Sequence, residues 1–145
     1  MAALAADRNT PEAMDGLRAG PVAASVTICK GALLVRDASG NVKPGVAETG
    51  SVGVGRAEER VDNSAGVAGA ATVHFRAGVF RFANAAAADE IAAAEIGDVC
   101  YVVDDQTVAK TDDTGSRSPA GIVHDVDAQG VWVRCDEALT RAAAA

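Results

Sequence analysis

Aromatic side chains are scarce: the 145 residues include one Trp, one Tyr and three Phe. Ala, Val and Gly must fill most of the core instead, and small side chains bury little area each, at roughly 25 cal/mol per Å². Such a domain gains more than most from burying further surface in an oligomer or on a partner. Basic runs are absent too. With 13 Lys and Arg against 20 Asp and Glu the net charge is −7, and no cluster of cations offers to replace the counterions of a phosphate backbone. Nucleic acid is therefore not an expected partner. No apolar stretch approaches the roughly 18 to 20 residues that span a bilayer, so a membrane is not expected either. Met1 to Asp15 lacks a cationic start followed by an apolar core of signal-peptide length, which predicts synthesis in the cytoplasm.

Residues for catalysis or metal binding are equally sparse. Cys29, Cys100 and Cys135 are far apart and odd in number, which suits neither a disulfide framework nor a zinc knuckle. They read as small buried hydrophobes. His74 and His124 are the only histidines. A hydrolytic triad needs a nucleophile, a base and an orienting acid. The nearest approach would pair Cys135 or Cys100 with His124, but neither cysteine has a basic setting that favours thiolate. The Asp residues between Asp98 and Asp127 lack EF-hand spacing and stand where turns are expected. Gly50 to Gly55 reads Gly-Ser-Val-Gly-Val-Gly, which is neither a dinucleotide fingerprint nor a P-loop. Alternating glycines there permit close backbone packing. The expectation is a protein with no catalytic residues, no cofactor and no metal.

What the chain does have is many short apolar segments punctuated by Gly and Asp. Val22–Ile28, Ala32–Val35 and Val52–Val54 are strand-like, and Asp37 to Asn41 is a turn cluster. Ile122–Val126 and Val131–Cys135, joined by Asp127-Ala128-Gln129-Gly130, form the clearest hairpin. Val99–Val103 is a nearly continuous apolar run, as in a central strand. Along Thr72–Ala83 the apolar parity flips, from Val73 and Phe75 to Phe80 and Phe82. A bulge or sharp bend at Ala77-Gly78 would restore one inward face. Trp132 opposes Val131 and Val133 in parity. Either the valines point inward and Trp132 is a rim or interface residue, or Trp132 is core and the valines are half exposed.

The pattern predicts an all-β domain, a small barrel or sandwich of short antiparallel strands, over residues 21–135. At most one short helix is expected, at Asn84–Ile96, where a loop with Ile91 and Ile96 as apolar anchors is the equal alternative. Residues 1–20 are expected to be an extended N-terminal arm, and residues 136–145 an Ala-rich tail with the makings of a frayed helix.

Certain phrases are familiar. They are Tyr101 to Asp112 (YVVDDQTVAKTD), Ser118 to Val123 (SPAGIV), Asp125 to Asp127 and Gly130 to Val133, together with Val54 to Glu58 and Val79 to Phe82. These resemble small proteins encoded among the head genes of tailed bacteriophages and prophages, the capsid decoration or cement proteins. The resemblance runs from about Asp7 to Cys135 and carries no catalytic signature. It implies a β-rich domain on the outer surface of a virion, bound to the major capsid protein and self-associated, often as a homotrimer. On that reading Leu4, Met14 and Leu17 are candidate anchors for a partner, Arg8 a rim contact and Trp132 an interface residue. The alternative is a virion surface module that recognises a host glycan or receptor, for which only Trp132 or Tyr101 offers an aromatic platform.

Overall fold

The computed structural model describes residues 2–13 and 15–145. Met14, one of the expected partner anchors, lies outside the described residues. The fold is all-β. Its strands are β1 (Leu17–Pro21), β2 (Val26–Ile28), β3 (Leu33–Arg36), β4 (Val42–Pro44), β5 (Val52–Ala57) and β6 (Val61–Asn63), then β7 (Thr72–Arg76), β8 (Gly78–Asn84), β9 (Val99–Val102), β10 (Thr107–Ala109), β11 (Pro119–Asp127) and β12 (Gly130–Cys135). One helix, α1 (Glu137–Ala144), follows. Five strands close a barrel in the order β10-β8-β12-β11-β9, in which only the β10–β8 pairing is parallel. Five others form a sheet ordered β1-β7-β5-β3-β4, and β2 pairs with β6.

There are two apolar cores. The barrel core holds Phe82, Ile91, Cys100, Val102, Val108, Val123, Val131 and Val133. The second core holds Val22, Ile28, Val42, Val54, Val73 and Phe75. Strand β3 is the wall between them. Successive strand side chains point to opposite faces, so Leu33 and Val35 enter the barrel core while Leu34 enters the other. A strand buried on both faces reads as an unbroken apolar run, which is how Ala32–Val35 reads. Glycines allow close approach, Gly53 of the sheet to the barrel and Gly55 of β5 to its sheet neighbour β7. A Cβ on Gly53 would overlap the Ala120 backbone of β11, and one on Gly55 would overlap the Arg76 carbonyl of β7.

The parity flip has a different cause from the one expected. The chain does break at Ala77-Gly78, where Gly78 has φ +152°, but no single inward face is restored. Strand β7 pairs with β1 and β5, whereas β8 pairs with β12 and β10. Val73 and Phe75 fill one core, and Phe80 and Phe82 pack into the other. The flip marks a chain that changes sheets.

Four more expectations need correcting. Residues Leu17 to Gly20 are not arm: they pair with Arg76 to Val73 as β1. The segment 84–96 contains no α-helix but two 3₁₀ turns, Ala87–Asp89 and Ala93–Glu95. Of its two expected anchors only Ile91 is buried, gripped through its backbone N–H and C=O by the Asn84 side chain at 2.9 and 2.8 Å, while Ile96 is exposed. The third is Cys29, which is exposed, unlike Cys100 and Cys135. Finally, the Ala-rich tail is a docked helix. Asp136 caps α1 by accepting from the Leu139 N–H at 2.9 Å. Glu137 accepts from Arg18 and Arg36, both at 2.9 Å, and Arg141 approaches at 3.3 Å. Thr140 is fully buried where α1 packs on β5, β9 and β11.

Candidate interaction surfaces

The first surface is the N-terminal segment expected to serve as an arm. Residues 2–13 form neither helix nor strand and are exposed throughout. Leu4 is 72% exposed. Among the described residues, Asp7, Arg8 and Glu12 make no ion pair or side-chain hydrogen bond. Gly16, ahead of β1, has φ +96° and accepts from the Ala77 N–H at 2.8 Å. Positive φ is a conformation glycine adopts without the steric cost other residues carry. Leu17, the next expected anchor, is 46% exposed at the start of edge strand β1.

The second surface is the outer face of β8 and β12. Register places Trp132 opposite Arg81 and Arg134 opposite Val79. Val131 and Val133 point into the barrel, so Trp132 lies on the outer face, half-buried. Its ring is held from two sides. Nε1–H donates to Asp127 Oδ2 at 2.8 Å, and the Arg81 guanidinium lies 5.5 Å from the ring centroid. The bond from Trp132, the N–H groups of Gln129 and Gly130, and the Arg81 charge hold the Asp127 carboxyl below the usual aspartate range. Nearby, the Arg56 guanidinium lies 4.4 Å from the Phe80 ring centroid. A shallow groove runs between these side chains, bordered by Gly31, Arg56, Val79, Phe80, Arg81 and Trp132.

The face mixes charges: Asp127 and Asp125, the latter opposite Trp132 on β11, lie among arginines. Among the described residues, Arg8, Lys30, Arg60, Arg81 and Arg134 are the cations without an ion pair. Arg81 and Arg134 flank Trp132. Lys30 adjoins Gly31 on the border of the groove, beside Cys29, whose Sγ is 3.5 Å from the Arg60 guanidinium. Alternation leaves Trp132 either rim or core, and it is the burial of Val131 and Val133 that puts it outside. Its juxtaposition with Arg81 depends on β8–β12 register, so Arg56, Arg81, Arg134 and Asp127 go unnoticed as a group in the sequence.

The remaining reactive side chains stay apart. Cys100 is buried and its thiol is pushed up to about 12 by that burial. Burial likewise pushes the Cys135 thiol up. Both are therefore thiols, not thiolates, at neutral pH. His124 is exposed at the β11 bulge between Val123 and Asp125, and His74 Nδ1 lies 3.0 Å from Glu59 Oε2 on the surface. Several aspartates serve turns: Asp37, Asp62, Asp104 and Asp127 accept from backbone N–H groups two to four residues ahead. No helix among the described residues is long and apolar enough to cross a membrane. In comparisons with known proteins, the chain matches no family model, no curated protein and no solved structure.

Proposed function

We propose that this protein is a structural component of a viral shell, a capsid decoration protein. In this reading it binds the outer surface of a tailed-phage head, contacts the major capsid protein and self-associates as a homotrimer. The observation that carries the reading is the contrast between body and arm. Beside a β body with two buried cores stands a segment, residues 2–13, that is exposed throughout and whose charged side chains have no ion pair among the described residues. Segments that order only on binding lose conformational entropy, and each anchor must offset it. They suit a tether, because one arm bridges two subunits and adds avidity. The resemblance of the strand phrases to decoration proteins points the same way. Stabilisation of the shell then follows from linkage: a ligand that binds only the assembled lattice favours that lattice.

The alternative, recognition of a host glycan or receptor, would use the Trp132 platform. It is the weaker reading because the indole N–H is committed to Asp127 and Arg81 lies against the ring. An electron-microscopy map of capsids from the phage or prophage that encodes the chain tests the proposal. The expected result is density for this fold at regular positions on the outer surface of the head lattice. Heads that lack it, with the protein confined to tail or fibre, would overturn the proposal.

A further inference from the structure

We infer that the arginine–aromatic face of β8–β12 is a docking site for the N-terminal arm of a second copy of this chain. The inference rests on the reading of the arm as a tether and names what it grips. Three observations carry it.

The first is charge. The arm segment 2–15 carries Asp7, Glu12 and Asp15 against Arg8, and none of these has an ion pair among the described residues. The face presents Arg81 and Arg134 without ion pairs among the described residues, with Lys30 nearby, against two carboxylates, Asp127 held by Trp132 and Asp125 opposite it on β11. A segment with three carboxylates and one arginine is complementary to the three cations Arg81, Arg134 and Lys30.

The second is the apolar complement. Leu4 is the large apolar side chain of the described arm, and it is exposed. The groove at the margin of that face is lined by Val79, Trp132 and the core-packed Phe80 together with the Arg56 and Arg81 guanidinium groups. Trp and Arg in such settings dominate binding energy at interfaces. Here both are already immobilised, Trp132 by Asp127 and Arg56 by Glu58 at 2.8 Å, so little side-chain entropy remains to be lost.

The third is placement. The arm is rooted at Gly16 beside Ala77, next to Gly78 and Val79, where β8 and the docking face begin. Root and recipient are thus neighbouring but different patches. An arm passed from one copy to the next makes a heterologous contact, which closes into a ring when the rotation permits.

The single Trp makes the test direct, because all indole emission comes from the proposed site. Sedimentation and Trp132 fluorescence are measured together on the full chain over a dilution series, at low and high salt. The expected result is an oligomer that dissociates on dilution and in salt, with emission changing in step. Arg81→Glu on the face and Leu4→Asp in the arm should each weaken association by about tenfold or more, the effect of losing one strong contact. A synthetic peptide of residues 2–15 should dissociate the oligomer and restore the bound emission. Leu4→Asp cannot unfold the body, because Leu4 packs on nothing, so it separates docking from folding. A monomer at every concentration would overturn the inference, as would an oligomer indifferent to both substitutions or to the peptide. If the free protein is monomeric but Arg81→Glu lowers occupancy on heads, the face grips the shell instead. The inference then fails while the decoration reading stands.

Discussion

The two ends of this chain are both rich in alanine, yet they meet opposite fates. Residues 2–13 lie exposed and without secondary structure, whereas residues 137–144 form a helix docked on the body. The difference lies in a few polar contacts, not in hydrophobicity. The tail begins with Asp136, which caps α1, and Glu137, which collects Arg18, Arg36 and Arg141. Because Arg18 sits on β1 and Arg36 on β3, one carboxylate ties the helix to two strands of the sheet. Asp7, Glu12 and Asp15 are carboxylates as well, but none of them is in an ion pair among the described residues. A terminal segment of small residues is therefore ordered by where its charges find partners.

The comparison breaks most readily at Glu137. Glu137→Ala removes the shared partner of Arg18 and Arg36 and should cost about 2 kcal/mol, moderated because Arg18 and Arg141 remain accessible to water. Urea unfolding measures it, and limited proteolysis should show α1 released first. A loss indistinguishable from that of an ordinary surface substitution would mean that the helix is held by packing alone.

The sheet junction that supports both ends is next. Gly78→Val forces a β-branched residue to φ +152° against the Phe80 ring, at a cost of about 1–2 kcal/mol. Thermal melting gives the answer, and an unchanged melting temperature would show that the junction relaxes freely. Asp136→Ala should cost about 1 kcal/mol through the lost cap, read as loss of helical signal in far-UV circular dichroism.

Acid offers a milder way to release the tail. Burial pushes the Glu137 carboxyl up, but Arg36, Arg18 and Arg141 outweigh it and hold the group below its ordinary value of 4.5. Since the folded value is the lower one, the stabilisation is complete above 4.5 and is lost as pH falls through the folded value. Proteolysis of α1 should accelerate below pH 4.5 in the wild type, and Glu137→Gln should abolish that dependence. At the far end of the scale, deleting residues 2–15 should change stability by less than about 0.5 kcal/mol, because the described residues of that segment are all exposed.

Local signals were the legible ones. The β11–β12 hairpin can be read from its alternation and its Asp-Ala-Gln-Gly turn, and the chain break at Gly78 from the flip in parity. The all-β class follows from the density of such turns. Long-range causes were not legible. Leu17 to Pro21 has little strand character of its own and becomes β1 because β7 is available as a partner and Arg18 lies 5.4 Å from the Phe75 ring centroid. The second core is hidden because a parity flip looks the same whether a strand bulges or changes sheets. The helical tail was half visible, since Asp136 before Glu137 is a local start signal, but Arg18 and Arg36 lie more than 100 residues away. Of the interaction surfaces, Leu4, Arg8, Leu17 and Trp132 are all surface residues. The arginines around Trp132 come together only through strand pairing.

The central claim is that the arm belongs to the assembly and not to the fold. Its most direct test is the occupancy of the 2–15 deletion on capsids stripped of the native protein, measured beside the full chain once both show the same melting temperature. The expected result is an equally stable body that no longer fills its sites on the shell. Full occupancy by the armless protein would contradict it.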